Sequence, residues 1–454
     1  MKVRPMNKIL IMLSGLLLLS LTAYATDHSE FIEGPFKDAT EVTKTCLECH
    51  EDQAMDLMKT PHWTWERKQV VDGKEVAVGK KDLLNNYCGA VSSNHVHCNE
   101  CHAGYGWKDE NFDFTDQSRV DCLICHDTTG TYEKDGDNAG WPMEEVNLEE
   151  VAKNVGLPVR QNCDSCHAMG GGGNNAKNGD ISLVMDYPDR SVDVHMDADG
   201  NDFQCQDCHT TENHYIKGAN LQTSPDGFNA ISCEQCHDAE PHEQSRLNAH
   251  AKRVACQTCH IPIYAKEDPT QMDWDWSTGG KDEAPAGTDG KIVRYAKSTG
   301  TQTWKADRTP SYAWFNGKAG IYLVGDKIDP KVPTPLAYPL GDINDKTAKI
   351  HPFKIHTGKQ IYDTKNNYFI TNHIYGSDGF WDTADWALSA KIGMETSGLP
   401  YSGEYGFAPT TMYWRIDHQV APKEQALKCL DCHGDDGRMD WKALGYKGDP
   451  MDGK

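Results

Sequence analysis

Apolar residues are unevenly spread along the 454-residue chain. The one long apolar run covers residues 9–21, with Lys2, Arg4 and Lys8 before it and Ala23-Tyr24-Ala25 after it. A basic start, a short apolar middle and a small-x-small end predict a secretory signal cleaved after Ala25. The run is too short for an ordinary spanning helix, and no later stretch replaces it, so no stable membrane anchor is expected. The link over residues 69–81 is polar and predicts an exposed turn or hairpin. Around residues 144–155 an acidic segment has helical spacing. Residues 261–428 hold no cysteine and are rich in Trp, Tyr, Gly and Pro. Only 38% of the chain is hydrophobic, which is low for a chain this long. Something besides side chains must complete the core.

The cysteines supply it. Sixteen of the seventeen fall in eight copies of C-x-x-C-H. These are Cys46/Cys49/His50, Cys98/Cys101/His102, Cys122/Cys125/His126, Cys163/Cys166/His167, Cys205/Cys208/His209, Cys233/Cys236/His237, Cys256/Cys259/His260 and Cys429/Cys432/His433. This spacing is the attachment signature of c-type haem: two sulfurs bond the porphyrin, and the next histidine reaches the iron as proximal ligand. Zinc ribbons would not need a histidine directly after every pair, and redox dithiols would not recur eight times. Eight covalent haems (iron) are therefore expected. The expected fold is a multihaem cytochrome c of mainly short α-helices and irregular loops wrapped around the haems, with little β. The signal peptide covers 1–25. A haem-rich region with seven motifs covers 26–260, a haem-free segment packing on the haems covers 261–428, and the eighth motif with an acidic tail covers 429–454. All but the signal are expected to form one compact domain. Haem attachment of this kind takes place outside the cytoplasm, which with the signal points to a periplasm.

Charge narrows the partners. The formal net charge is −23, and loss of the signal's three basic residues makes it −26. Haem propionates add to it. Nucleic acid and anionic membrane surfaces are thereby disfavoured, and an anionic substrate needs a local positive site.

Twelve of the twenty histidines lie outside the motifs. A second imidazole is the usual sixth ligand of an electron-transfer haem. His62, His195, His214, His242, His250, His356 and His418 are the candidate distal ligands. His351 and His373 compete with the last two, and His28, His95 and His97 are weaker candidates. Cys88 belongs to no motif, and four consecutive glycines precede Lys177. Ligand counting alone does not separate an enzyme from a conduit whose eight haems are all bis-histidine.

The strings EGPFK before the first motif, HWTWE after it, CHAGYGWKD, CHDTTGTY, the GGGG loop, ACQTCHIP and GKQIYD resemble the octahaem tetrathionate reductase family over nearly the whole mature chain. That family is distantly like hydroxylamine oxidoreductase and the pentahaem nitrite reductases. The resemblance implies a periplasmic reductase of tetrathionate, with nitrite and hydroxylamine as further substrates. One haem, at Cys98/Cys101/His102, would carry lysine as distal ligand and be fed by seven bis-histidine haems. A small sulfur or nitrogen oxyanion or amine would be the substrate, and a redox partner protein or quinol-linked donor would supply electrons. Among Lys108, Lys134 and Lys177, the glycine-rich loop favours Lys177. Cys88 would meet a sulfur substrate by hydrogen bonding or thiolate attack, and Asn85 and Asp180 are weaker site candidates. The alternatives are the conduit and a hydroxylamine-oxidising enzyme, which would need a tyrosine cross-link to its porphyrin.

Overall fold

The polar link is a two-stranded hairpin, β1 (Arg67–Val71) and β2 (Lys74–Val78), in which Val71 faces Lys74. Asp72 and Gly73 form its loop, both at positive φ (49° and 76°). This is the turn that an Asp-Gly pair favours between twisted strands. It belongs to a computed structural model whose described residues are 27–453; the signal expected over 1–25 lies outside them. In the acidic segment, a helix spans Leu148–Lys153, and the Asn147 side chain accepts from the Glu150 N–H to cap it. Short helices sit at the motifs, among them Leu123–His126, Arg160–His167, Cys205–Cys208, Cys256–His260 and Cys429–Cys432. One helical turn brings the two sulfurs and the histidine of a motif to one side. Among the described residues, no helix is long and apolar enough to cross a membrane.

The expectation of little β is corrected by residues 270–415. They build a mixed nine-stranded sheet from β3 (Thr270–Asp275), β4 (Val293–Ala296), β5 (Gly300–Lys305), β6 (Ser311–Phe315), β7 (Ala319–Ile321), β8 (Thr334–Pro339), β9 (Lys349–Asp363), β10 (Tyr368–Phe369) and β11 (Tyr405–Arg415). The long central strand β9 runs antiparallel to β11, with His356 opposite Met412, and parallel to β3, with Thr357 opposite Asp273. Strand alternation is hard to read in β9 because Lys354, His356 and Gln360, spaced two or four apart, are all buried. Polar residues there fill positions that a binary pattern assigns to apolar side chains.

Aromatic side chains of this segment pack on one another. Trp274 stacks on Trp276 (ring centroids 4.6 Å apart) and Phe380 on Trp386 (3.7 Å). The same core takes in Leu83, Leu84 and Tyr87 from the loop that carries Cys88. The sheet is thus a platform under that loop.

Candidate functional site

Seven of the eight motif histidines face a second imidazole. The pairs, with ring-centroid separations, are His50 and His28 (6.2 Å), His167 and His62 (6.3 Å), His126 and His214 (6.5 Å), and His237 and His195 (6.1 Å). The other three are His209 and His418 (6.1 Å), His260 and His242 (6.1 Å), and His433 and His250 (6.4 Å). These gaps are too wide for ring stacking and suit one metal ion: two metal–nitrogen bonds of about 2 Å each, plus a ring radius of about 1.1 Å at either end, come to about 6 Å. The outer ring nitrogens are also held correctly. Nδ1 of His126, His209 and His250 donates to the carbonyls of Gly156, Lys217 and Arg246 at 2.8, 2.8 and 2.9 Å. Nδ1 of His433 donates to Asp449 at 2.6 Å, and that of His418 lies 3.2 Å from Asp180. A proton on Nδ1 leaves the Nε2 lone pair for iron.

His356 does not join this set. It lies on β9, where Nδ1 accepts from Asn86 Nδ2 (3.1 Å) and Nε2 donates to Gln271 Oε1 (3.2 Å). Both ring nitrogens are committed, and it is His28 that faces His50. His351 and His373 are engaged by Asp417 and Asp378. His95 packs on Trp107 and His97 on Tyr375. His28→Met is expected to change the spectrum and potential of one haem, and His356→Met to leave all the haem spectra unchanged. Low-temperature spectra of the two variants check this.

His102 is the exception among the motif histidines. It is buried against Trp63, Trp65, Trp107, Phe112 and Phe114. Its Nε2 lies 2.7 Å from the Trp63 carbonyl. A carbonyl only accepts, so Nε2 carries the proton and has no lone pair for a metal. The buried Nδ1 has no partner. The arrangement is the reverse of that at the paired histidines.

Lys177 lies within electrostatic reach of the second motif's cysteines. Its charge acts on the thiols of Cys88, Cys98 and Cys101. Burial, then the neighbouring Lys80 ammonium, hold its pKa below the ordinary lysine value, which favours the neutral amine a metal requires. The four-glycine loop is its cradle. A Cβ added at Gly171 (φ 84°) would lie 2.3 Å from Lys177 Cε, so only glycine lets the stem pass this close. Lys134 is committed elsewhere, ion-paired with Asp121 (3.2 Å) and donating to the carbonyls of His102 (2.5 Å) and Gly104 (3.0 Å). Lys108 is exposed.

Cys88 comes to the same place on a turn that Asn85 holds, the Asn85 Oδ1 accepting from the N–H groups of Tyr87 (2.9 Å) and Cys88 (3.2 Å). Asn85 is therefore a turn residue. Burial raises the Cys88 pKa, so the thiol stays protonated and acts as a weak S–H donor; thiolate attack is disfavoured. Asp180 is drawn away from Lys177: its Oδ2 accepts from the N–H groups of Asp417 (2.7 Å) and His418 (2.9 Å) and faces the His418 ring.

Three polar residues on β9 support both loops from below. Lys354 reaches the carbonyls of Ala176 and Lys177, His356 reaches Asn86, and Gln360 donates to the Asn86 carbonyl at 3.0 Å. Sequence reading missed this role, and the only signal for it was the run of polar residues in a strand.

The attachment sites also meet one another. The sulfurs of Cys46 and Cys122, Cys101 and Cys166, Cys163 and Cys205, and Cys233 and Cys256 lie beside one another in pairs. Cys125 lies within electrostatic reach of Cys163, Cys208 of Cys236, and Cys259 of Cys432. Motifs one, three, four, five, six, seven and eight thus form a continuous series, and the second motif joins it at the fourth.

Cys49 is one of five exposed motif cysteines, with Cys208, Cys233, Cys236 and Cys429. It is exposed, whereas Cys46 of the same motif is half-buried. The reason is local. The helix Ala39–Leu47 carries Cys46 and ends before Cys49, which lies in the following turn with its N–H donating to the Cys46 carbonyl at 3.3 Å. Cys46 therefore faces the third motif, while Cys49 stands on the outer side of the first. His50 follows directly and faces His28.

The chain is similar to known cytochromes c. Residues 271–436 match the family described as "Cytochrome c bacterial". An uncharacterized protein of Archaeoglobus fulgidus is 27% identical over 238 residues, which is 41% of this chain and 79% of that protein. A solved structure, "Crystal structure of octaheme cytochrome c from Shewanella oneidensis", is 55% identical with a TM-score of 0.89, covering 94% of this chain and 98% of that one.

Proposed function

Because this chain belongs to the octahaem cytochromes c, we propose that it is a periplasmic reductase of a small inorganic substrate, tetrathionate first, with nitrite and hydroxylamine as further candidates. The eight motifs would each hold one haem, and the seven histidine pairs would supply both axial ligands at seven of them. Bound haems supply one-electron storage and transfer. At the second motif, Lys177 rather than His102 would hold the haem iron, and that haem would supply the site of substrate reduction.

One observation carries the reading: among the described residues, His102 alone of the motif histidines faces no second imidazole and spends Nε2 on a carbonyl. A conduit would call for eight equivalent pairs. The chain's own groups suit an anion at the odd position. Lys80 lies over the Trp65 ring, 3.7 Å from its centroid, and acts on Lys177 and on Cys98 and Cys101, so the pocket is locally cationic within an acidic protein. The Cys88 S–H supplies a soft donor for sulfur. Lys177, if displaced from iron, would take up a proton and hold it beside the substrate.

The test is turnover of tetrathionate, nitrite and hydroxylamine with a reduced viologen, on protein whose intact mass after acid denaturation gives the haem count. Eight haems and reduction of at least one of the three substrates are expected. Fewer than seven haems in matured protein would sink the haem reading, and inertness toward all three would sink the reductase reading.

A further inference from the structure

We infer that Lys354 is a positioning residue for Lys177, so that the haem-free sheet sets axial ligation at the second motif. The inference rests on the reading of Lys177 as an iron ligand. Lys354 stands on β9 and is completely buried. Its Nζ donates to the carbonyls of Ala176 and Lys177, both at 2.8 Å, and to Thr270 Oγ1 at 2.6 Å. The Thr270 hydroxyl gives its own proton to the Asn175 carbonyl at 2.6 Å, so toward Lys354 it can only accept. Burial pushes the Lys354 pKa well down and Asp180 opposes it; the three acceptors around Nζ favour the ammonium, whose three hydrogens match them, over the neutral amine, which would leave one short.

Among the described residues Lys354 forms no ion pair, and the Asp180 carboxylate acts on it only from beyond contact. A charge buried without an ion pair is costly to the fold, and methionine would fill the same stem volume without it. Packing of the sheet therefore does not call for a lysine here. What the lysine does is defined by what it touches: the backbone of Ala176 and Lys177 directly, and that of Asn175 through Thr270.

Tyr87 adds a second donor. Its hydroxyl gives a hydrogen bond to the same Lys177 carbonyl at 3.1 Å, and its ring lies 5.9 Å from Lys354 Nζ. The Lys177 backbone is thus gripped from the sheet by Lys354 and from the Cys88 loop by Tyr87. On its other side the Lys177 stem runs against Gly170 and Gly171. A lysine side chain carries about 2 kcal/mol of rotamer entropy, so fixing its backbone and stem beforehand lowers what ligation must overcome.

Lys354→Met, Tyr87→Phe and Lys177→Ala, each with its haem content confirmed by mass, test this through low-temperature spectra and the potential of the second-motif haem. Lys354→Met is expected to convert that haem in the larger part of the molecules to a high-spin or water-ligated form, with the other seven unchanged. Lys354→Arg restores a cationic donor and should recover part of the signal. Tyr87→Phe should act in the same direction more weakly. Should Lys354→Met fail to mature, Tyr87→Phe decides, and an unchanged signal in it overturns the proposal. A Lys354→Met protein with all its haems, wild-type signal and wild-type potential overturns it too. If that happens while Lys177→Ala does change the signal, only the positioning role falls. If Lys177→Ala itself changes nothing, the ligation reading falls and the positioning role with it.

Discussion

Lys177→Ala is expected to turn one haem of the eight high-spin or water-ligated, to leave the other seven spectra as they are, and to lower turnover by at least about 100-fold. The size follows from the chemistry of metal sites, where loss of an outer-shell partner alone costs about 10- to 100-fold and a directly ligating group costs more. The seven paired sites lie on other histidines, so their spectra serve as an internal control in the same sample. Gly171 and its neighbours remain, so the loop keeps the room that the lost side chain occupied. The measurement is a low-temperature spectrum of the oxidised protein beside viologen-coupled turnover. If both match the wild type, the lysine assignment is wrong. Lys134 would not inherit the role, because its ammonium is already spent on Asp121 and two carbonyls.

Asp121→Asn is expected to destabilise the protein by about 3–5 kcal/mol, the usual cost of leaving one partner of a buried ion pair alone. Lys134 and Asp121 have side chains 3% and 0% exposed, so water cannot replace the lost carboxylate. Tyr132, whose hydroxyl lies 3.0 Å from both Asp121 oxygens, keeps only one of its two acceptors. The change also reaches the second motif, because Lys134 Nζ holds the His102 carbonyl. Denaturant unfolding measures the effect. The double variant Lys134→Met/Asp121→Leu removes both charges and should recover much of the loss. A single variant with the wild-type midpoint would show that the pair contributes little.

The sequence determined by itself everything that local spacing encodes. The sixteen motif cysteines show this best: C-x-x-C-H is a covalent instruction read within five residues, and it needs no fold to be legible. The hairpin at Asp72-Gly73 and the helix capped at Asn147 were legible for the same reason, as turn and cap chemistry act over two to four residues. The glycine run before Lys177 pointed to a close approach, which the cradle at Gly171 explains.

Tertiary structure decided what depends on partners far apart in sequence. His28 and His356 are both spare histidines, and nothing in their neighbours separates them. One faces His50 across a metal-sized gap, and the other is locked between Asn86 and Gln271. Cys46 and Cys49 share one motif, yet only the fold turns the first toward Cys122 and leaves the second exposed. His102 sits in the same five-residue string as His126, but the Trp63 carbonyl, 39 residues away, takes its Nε2. The nine-stranded sheet was obscured because Lys354, His356 and Gln360 occupy inward positions of β9. Polar groups are tolerated there only because the carbonyls and amides of two distant loops satisfy them. Hydrogen-bond satisfaction at burial is a property of the assembled fold, so a lysine in a strand and a lysine on an iron look alike until the chain is folded.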